Sequence, residues 1–318
     1  MARIPKGAPM SGSAATSSVG EYRFDGRVAV VTGAGRGIGW AYARLLAARG
    51  ARVVVNDLGA STGGSGADTA PAAEAVAEIV AAGGEAIAAS GDVSSPAGAQ
   101  ALVDTAVERF GRVDIVVNNA GIIRWAGMPE VDEDNLAKHL AVHVGGSFNT
   151  VRAAWPHLVD QGYGRIVNTT SAGLFGLPDN TSYAAAKGAV VGLTRSLATA
   201  GAAHGITANC IAPGAMTRMA GRVGEDASPE MSPDLVAPMV ALLAHEECPV
   251  SGQIYAAGFG RFARIFIGMA PGYVHTGSAP TIEDVAEQWA AINDEPGYSI
   301  PADLPEWSAI FMAHLQSS

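Results

Sequence analysis

Tyr183 and Lys187 stand four residues apart in Ser182–His204, an alanine-rich stretch whose pattern predicts a helix. Residues at i and i+4 share a helix face. A phenol with its ordinary pKa of about 10 is a poor acid or base near neutral pH. An adjacent ammonium favours the phenolate and lowers that value. The pair can then exchange a proton with a substrate oxygen while a hydride moves at the attached carbon. Tyr-x-x-x-Lys also describes many ordinary surface pairs, so its weight depends on its surroundings.

A second cluster, Thr32-Gly33-Ala34-Gly35-Arg36-Gly37-Ile38-Gly39, follows directly on the apolar run Arg27–Thr32 and precedes a helical pattern. A glycine-rich turn between strand and helix lets the backbone approach a pyrophosphate, and the helix N-terminus offers free N–H groups. Asp57 ends the next apolar run, 18 residues after Gly39. A carboxylate there can accept hydrogen bonds from the adenosine ribose and repel a 2′-phosphate, so it selects NAD over NADP. Arg36 argues the other way, because a basic residue in the turn can meet a 2′-phosphate. Asp57 carries more weight, since its charge sits where the ribose edge should lie. His139 and His143 are also spaced i, i+4, but they lack the glutamate of an H-E-x-x-H motif, and no metal site is expected.

These residues need a scaffold of alternating strands and helices. Strand-like runs are expected at Arg27–Thr32, Arg52–Asn56, Glu85–Ala89, Val113–Val117, Arg165–Thr170, Ile206–Ile211 and Gln253–Ala256. Helical patterns fall between them at Gly37–Arg49, Ala70–Ala82 and Pro96–Phe110, in one long helix from about Val131 to about Asp160, and at Ser182–His204. Near-continuous hydrophobic strands separated by helices predict an α/β fold: a Rossmann-type doubly wound parallel sheet of about seven strands in a single domain. Residues 1–20 read as a disordered leader, 21–260 as the dinucleotide-binding catalytic domain, and 261–318 as a C-terminal extension packed on that domain. The extension holds a helical pattern at Thr281–Ile292 and apolar residues that include Phe266, Met269, Trp289, Trp307 and Phe311, with Phe266 and Met269 expected near the pocket mouth. Leu58–Thr69 is an inserted Gly/Ser-rich loop.

The chain has 318 residues and a formal net charge of −10, which argues against a nucleic-acid partner. No apolar run is long enough to span a membrane, and no apolar segment follows Lys6 to form a secretory signal, so a cytoplasmic location is expected. Cys210 and Cys248 are too few for a disulfide framework and read as buried thiols.

Taken together the motifs resemble the short-chain dehydrogenase/reductase family over roughly residues 25–260. Thr32–Gly39 matches its TGxxxGxG turn, and Asn118-Asn119-Ala120-Gly121 its NNAG. Gly91-Asp92-Val93 matches the adenine-contacting segment, Tyr183–Lys187 the YxxxK pair, and Pro213-Gly214 with Thr217 the PGxxxT that holds the nicotinamide amide. The resemblance implies NAD contacts at Gly33, Arg36, Gly37, Ile38, Gly39, Asp57, Asp92, Val93, Asn119, Ala120, Gly121, Tyr183, Lys187, Pro213, Gly214 and Thr217. It also implies a serine that polarises the substrate oxygen. That serine usually lies thirteen residues before the tyrosine, a count that selects Thr170; counting forward from Gly164-Arg165 at the strand start selects Ser171. A one-residue slip turns a strand side chain to the opposite face. A deletion is easier in the following loop, so Ser171 is preferred with Thr170 as the alternative. His143 stands where many members carry an asparagine that distorts the helix and supports a proton relay; Gly145 and Gly146 weaken the helix there too. A packed core histidine is the plain alternative.

Val54–Gly59, the inserted loop, His143 with the following Gly-Ser-Phe, and Arg152–Trp155 resemble in particular the (3R)-hydroxyacyl-CoA dehydrogenase domain of multifunctional β-oxidation enzymes. The resemblance implies a small-molecule substrate of the 3-hydroxyacyl-CoA class, a stand-alone dehydrogenase, and a homodimer or homotetramer paired through the helices after residues 131 and 182. Met216, Met219 and Met231 would line a substrate lid, and Arg218, Arg222, Arg261 and Arg264 are candidates for CoA recognition. The alternatives are a dehydrogenase of a cyclic apolar alcohol, such as a steroid or terpenoid, and a non-catalytic NAD-binding sensor.

Overall fold

The computed structural model describes residues 20–215 and 228–316. The expected leader, apart from Gly20, lies outside them, as do Met216, Thr217, Arg218, Met219 and Arg222. Seven strands, β1 (Val28–Thr32), β2 (Arg52–Asn56), β3 (Glu85–Ala89), β4 (Ile115–Asn118), β5 (Gly164–Thr169), β6 (Ile206–Gly214) and β7 (Ile254–Gly258), form a parallel sheet in the order β3-β2-β1-β4-β5-β6-β7. Strands β1, β4 and β5 are buried at every residue, as a sheet covered on both faces requires. Helices α1 (Gly37–Ala48), α2 (Ala70–Ala81), α3 (Pro96–Phe110), α5 (Gly146–Gln161), α6 (Thr181–Gly201) and α7 (Ala237–Ala244), with the short α4 (Glu133–His139), supply the flanking layers. The order reverses between β1 and β4, which opens a crevice at the carboxyl ends of those strands.

An eighth strand, β8 (Arg261–Ile265), pairs antiparallel with β7. It lies in the segment that the sequence assigns to the tail. The turn signal is unusual: Gly258 pairs with Arg261 across the two residues Phe259 and Gly260, both with positive φ, 54° and 73°. Two successive positive-φ residues are what a two-residue hairpin with native twist requires. A phenylalanine in the first position hides that signal, because bulky residues rarely adopt this conformation.

The long helix expected over 131–160 is interrupted. Between α4 and α5 the backbone widens into a π-helical turn at Leu140–Gly145 that carries His143. Such turns occur mostly as single insertions within α-helices, often at functional sites.

Beyond β8 the tail forms α8 (Ile282–Glu287), α9 (Trp289–Ile292) and α10 (Leu304–Phe311), so the helix expected over Thr281–Ile292 is two short ones, the first closed by a Thr281–Asp284 capping box. Arg195 on α6 ties the tail down by donating to the carbonyls of Pro301 and Ala302 at 2.7 and 3.0 Å. Phe266 stacks on Tyr298, and Trp307 on Phe311. Most large apolar side chains of the tail nonetheless face solvent, with Trp289 62% and Phe266 46% exposed.

Candidate active site

The turn from β1 into α1 is shaped for close backbone approach. Gly33 has a φ of +62°, and a Cβ there would come within 2.9 Å of the Ala120 backbone; a side chain at Gly39 would run into the Gly33 carbonyl. Arg36 is the N-cap of α1 in extended conformation and makes no side-chain capping bond. The first N–H groups of α1 are therefore left for an anion. Asp57, just past β2, accepts from Gly35 N at 2.9 Å and from Gly59 N at 2.7 Å, so its carboxylate is fixed in the crevice by the glycine turn and by the inserted loop. Each oxygen keeps acceptor capacity for a ribose hydroxyl.

The remaining expected cofactor residues divide by role. Gly33, Arg36, Gly37, Ile38, Gly39, Asp57, Asp92, Val93, Asn119, Ala120, Gly121, Tyr183, Lys187 and Pro213 all border one cleft of about 910 Å³. Asn119 supports the turn from behind, donating from its amide to the Thr32 and Gly33 carbonyls at 3.0 Å each. Thr32 Oγ1 in turn accepts from Asn119 N and Ala120 N. Asp92 turns its carboxylate onto Ser94. Gly214 ends β6 against the Phe259 ring rather than in the cleft. The cradle, the clamped carboxylate and the unclaimed helix N-terminus fit a dinucleotide.

The α6 end of the cleft carries the pair with acid–base chemistry. Asn180 Oδ1 accepts from Tyr183 N at 3.3 Å and starts the helix. Tyr183 and Lys187 then face the cleft. Lys187 is buried, and its Nζ donates to the Thr169 carbonyl at 2.8 Å. Burial depresses its ammonium to about 7, against a smaller opposing pull from Cys210. Burial also pushes the Tyr183 phenol up, while a hydrogen bond with Ser171 pulls it down. The lowering of the phenol that the spacing predicts is thus outweighed by desolvation, and the downward pull comes from Ser171. Nζ lies 5.5 Å from the phenol ring centroid.

The two candidate hydroxyls separate clearly. Thr170 Oγ1 is buried and donates to the Lys187 carbonyl at 2.8 Å, so it serves the helix. Ser171 Oγ accepts from Gly173 N at 3.0 Å and lines the cleft with Tyr183, whose phenol it pulls down. His143 is buried beside this group, its ring edge-on to Tyr183 at 5.4 Å, and its Nε2 meets the Ile122 carbonyl at 2.9 Å. Burial drives its pKa well below the ordinary value.

The substrate end of the cleft is apolar, bordered by Ile122, Ile123, Trp125, Val142 and Leu177. Sequence reasoning missed these residues, because isolated apolar side chains in loops carry no pattern. It also missed that Ala60, Ser61, Thr62 and Gly64 of the inserted loop border the cleft. Several expected substrate contacts lie elsewhere: Met231, Phe266, Met269, Arg261 and Arg264 do not border the cleft. Arg261 and Arg264 belong to β8, where Arg264 donates to Gln253 Oε1.

Comparison with known proteins agrees with this architecture. The short chain dehydrogenase family model matches residues 27–228. A Mycobacterium tuberculosis protein named as a short-chain type dehydrogenase/reductase is 44% identical over 276 residues, covering 86% of this chain and 96% of its own. The peroxisomal multifunctional enzyme type 2 of Drosophila melanogaster is 41% identical over 284 residues, 88% of this chain. Its solved structure superposes with a TM-score of 0.76. This chain spans about half of that enzyme's length, 47% by sequence. A gluconate 5-dehydrogenase from Burkholderia cenocepacia, solved with NADP and tartrate, is 33% identical with a TM-score of 0.66, over 75% of this chain and 96% of its own. The glycine turn, the acid–base pair on α6 and these matches together establish that the chain belongs to the short-chain dehydrogenase family and is an oxidoreductase acting on CH–OH groups.

Proposed function

We propose that this enzyme uses NAD to interconvert a 3-hydroxyacyl-CoA and the corresponding 3-ketoacyl-CoA. The choice of NAD rests on one observation: Asp57, held by Gly35 N and Gly59 N at the end of β2, puts a fixed negative charge at the ribose edge. A 2′-phosphate there would meet an anion that cannot swing away. NADP in the gluconate 5-dehydrogenase structure and Arg36 at the N-cap of α1 support the competing reading.

The glycine turn Gly33–Gly39 and Asp57 would hold NAD, which when bound would supply the hydride acceptor for the carbinol carbon. Tyr183 takes the hydroxyl proton, and Ser171, which lines the cleft beside it, holds the substrate oxygen in line with the phenol. In reduction the phenol returns that proton. Lys187 stands behind the tyrosine, anchored to the end of β5 through Thr169, and its depressed pKa near 7 lets it pass a proton at neutral pH. His143 holds the wall beside the phenol through Ile122.

The hydroxyacyl-CoA class is supported by the match with the multifunctional enzymes, among them one from Saccharomyces cerevisiae named a hydratase-dehydrogenase-epimerase, 39% identical over 279 residues. The apolar border formed by Trp125, Val142 and Leu177 suits an acyl chain, and it also favours a second reading, a cyclic apolar alcohol. A turnover screen with NAD, matched 3-hydroxyacyl-CoA thioesters and steroid alcohols separates the two. Turnover confined to the steroids would overturn the acyl-CoA assignment.

A homo-oligomer completes the proposal. Leu136, Leu140 and Phe148 are exposed along α4 to α5, and α6 offers a smooth exposed face at Gly188 and Gly192. With the exposed apolar side chains of the tail, these faces suit contact with a second copy. Two free, buried thiols suit a reducing compartment such as the cytoplasm.

A further inference from the structure

The segment Gly121–Trp125 leaves the sheet after β4 and borders the cleft without belonging to a strand. Its backbone polar groups still need partners. On one side Ile123 N donates to the Thr62 carbonyl of the inserted loop at 2.8 Å. On the other side the partners are side chains. Arg124 N donates to His139 Nε2 at 3.3 Å, the Arg124 carbonyl accepts from Asn135 Nδ2 at 3.1 Å, and the Ile122 carbonyl meets His143 Nε2 at 2.9 Å. Residues 122 and 124 thus face one way and residue 123 the other, as along a strand.

Asn135, His139 and His143 recur every fourth residue, and all three are buried. Their bonding fixes their protons. His139 Nδ1 lies 2.8 Å from the Asn135 carbonyl and must donate, which leaves Nε2 as the acceptor for Arg124 N. His143 Nε2 lies 3.3 Å from Ile122 N and 2.9 Å from Ile122 O; one nitrogen cannot serve both, and the shorter contact makes it a donor to the carbonyl. His139 is therefore neutral with its proton on Nδ1, and His143, whose buried Nδ1 meets no partner to take a second proton, is neutral with its proton on Nε2. They stack at 5.8 Å and 11°, and each meets the Tyr183 ring edge-on, at 6.2 Å for His139 and 5.4 Å for His143.

We infer that Asn135 and His139, with His143, form a side-chain ladder that stands in for a missing strand, and that His139 is a positioning residue which sets the distance between Tyr183 and the substrate wall at Ile122–Trp125. His139 is fully buried and does not border the cleft, so it acts through the segment it holds. This rests on the reading of Tyr183 as the proton-transfer residue, but not on the identity of the alcohol.

The test uses the full chain and three variants. His139→Leu removes both hydrogen bonds and keeps apolar bulk. His139→Gln retains one donor and one acceptor. Asn135→Ala removes only the bond to the Arg124 carbonyl. Amide hydrogen exchange at residues 122–125 is read without any substrate; it should quicken at least tenfold in His139→Leu, less in Asn135→Ala, and return toward wild type in His139→Gln. With (3R)-hydroxybutanoyl-CoA as probe, His139→Leu should lower kcat/KM at least tenfold, with the Kd for NAD changed less than twofold, and His139→Gln should recover most of the loss. Unchanged exchange in both His139→Leu and Asn135→Ala would overturn the ladder. Altered exchange with kcat/KM unchanged, or loss shared equally by His139→Gln alongside an equal fall in Tm, would overturn the positioning role. If wild type does not turn over the thioester, the substrate class fails alone, and the same kinetic comparison is made with the alcohol that the turnover screen identifies.

Discussion

Lys187 Nζ donates to the carbonyl of Thr169 at 2.8 Å, which ties the buried amine of α6 to the last residue of β5. The ammonium is thus satisfied by one backbone oxygen in a desolvated site, and burial lowers its pKa from 10.5 to about 7. A cation whose folded pKa is depressed binds fewer protons folded than unfolded between those two values. Stability contributed by this group therefore rises as pH climbs from about 7 to 10.5 and is reduced by a constant amount below 7.

Lys187→Met should consequently lose turnover yet gain stability at neutral pH. Relief of the buried charge is worth about 5 kcal/mol at most, offset by about 1–2 kcal/mol for the orphaned Thr169 carbonyl, leaving a gain of at most about 3 kcal/mol. Denaturant melts at pH 7 and pH 10 check this. The gain should shrink at the higher pH, and a variant less stable than wild type at both would show that the lysine is not strained by burial.

Ser171→Ala and Thr170→Ala should fail differently. The first removes the hydroxyl that lines the cleft beside the phenol and should lower kcat by about a hundredfold or more with little change in Tm. The second removes a buried donor to the Lys187 carbonyl and should cost on the order of 1 kcal/mol of stability, with a smaller kinetic effect. Steady-state kinetics beside thermal melts separate them; a larger loss of kcat from Thr170→Ala would reverse the assignment.

Asp57→Ala should narrow the preference for NAD over NADP, measured as the ratio of kcat/KM on one substrate. It also frees Gly35 N and Gly59 N, so affinity for NAD itself should fall. A wild-type preference for NADP would refute the reading of Asp57.

Acid should weaken the fold through the imidazole ladder. Burial depresses His143 and, less strongly, His139 below the ordinary 6.5. The unfolded chain then binds more protons, so stability falls as pH drops through 6.5 toward the folded pKa values. Lys187 on α6 adds repulsion to both rings. His143→Asn should flatten the change in Tm between pH 7.5 and pH 5.5; an equal acid loss in this variant would show that other groups cause it.

Much of this was legible in the sequence, and the exceptions have physical causes. Continuous apolar runs such as Val28–Thr32 and Ile115–Val117 announce strands buried on both faces, and the glycine turn follows from backbone approach. Thr170 and Ser171 stand one residue apart just past β5, and the sequence count alone left both open; Thr170 Oγ1 meets the Lys187 carbonyl while Ser171 Oγ accepts from Gly173 N. β8 was hidden because Phe259 occupies a conformation usually left to glycine or asparagine. The π-turn at Leu140–Gly145 widens a helix without changing its composition. The role of His139 is not legible from its spacing with His143, because spacing reports a shared face and not the backbone groups that the face meets. The tail's apolar content predicts burial, yet most of its large apolar side chains are exposed, because composition does not report what a segment packs against.

The most direct measurement is NADH formation by wild type and Tyr183→Phe with NAD and (3R)-hydroxybutanoyl-CoA, alongside NAD binding by each protein. The phenol is the group proposed to take the substrate proton, and its removal costs little volume. Wild type should turn over, and Tyr183→Phe should lose about 10²- to 10⁴-fold in kcat with Kd for NAD nearly unchanged. A kcat near wild type in Tyr183→Phe would contradict the mechanism.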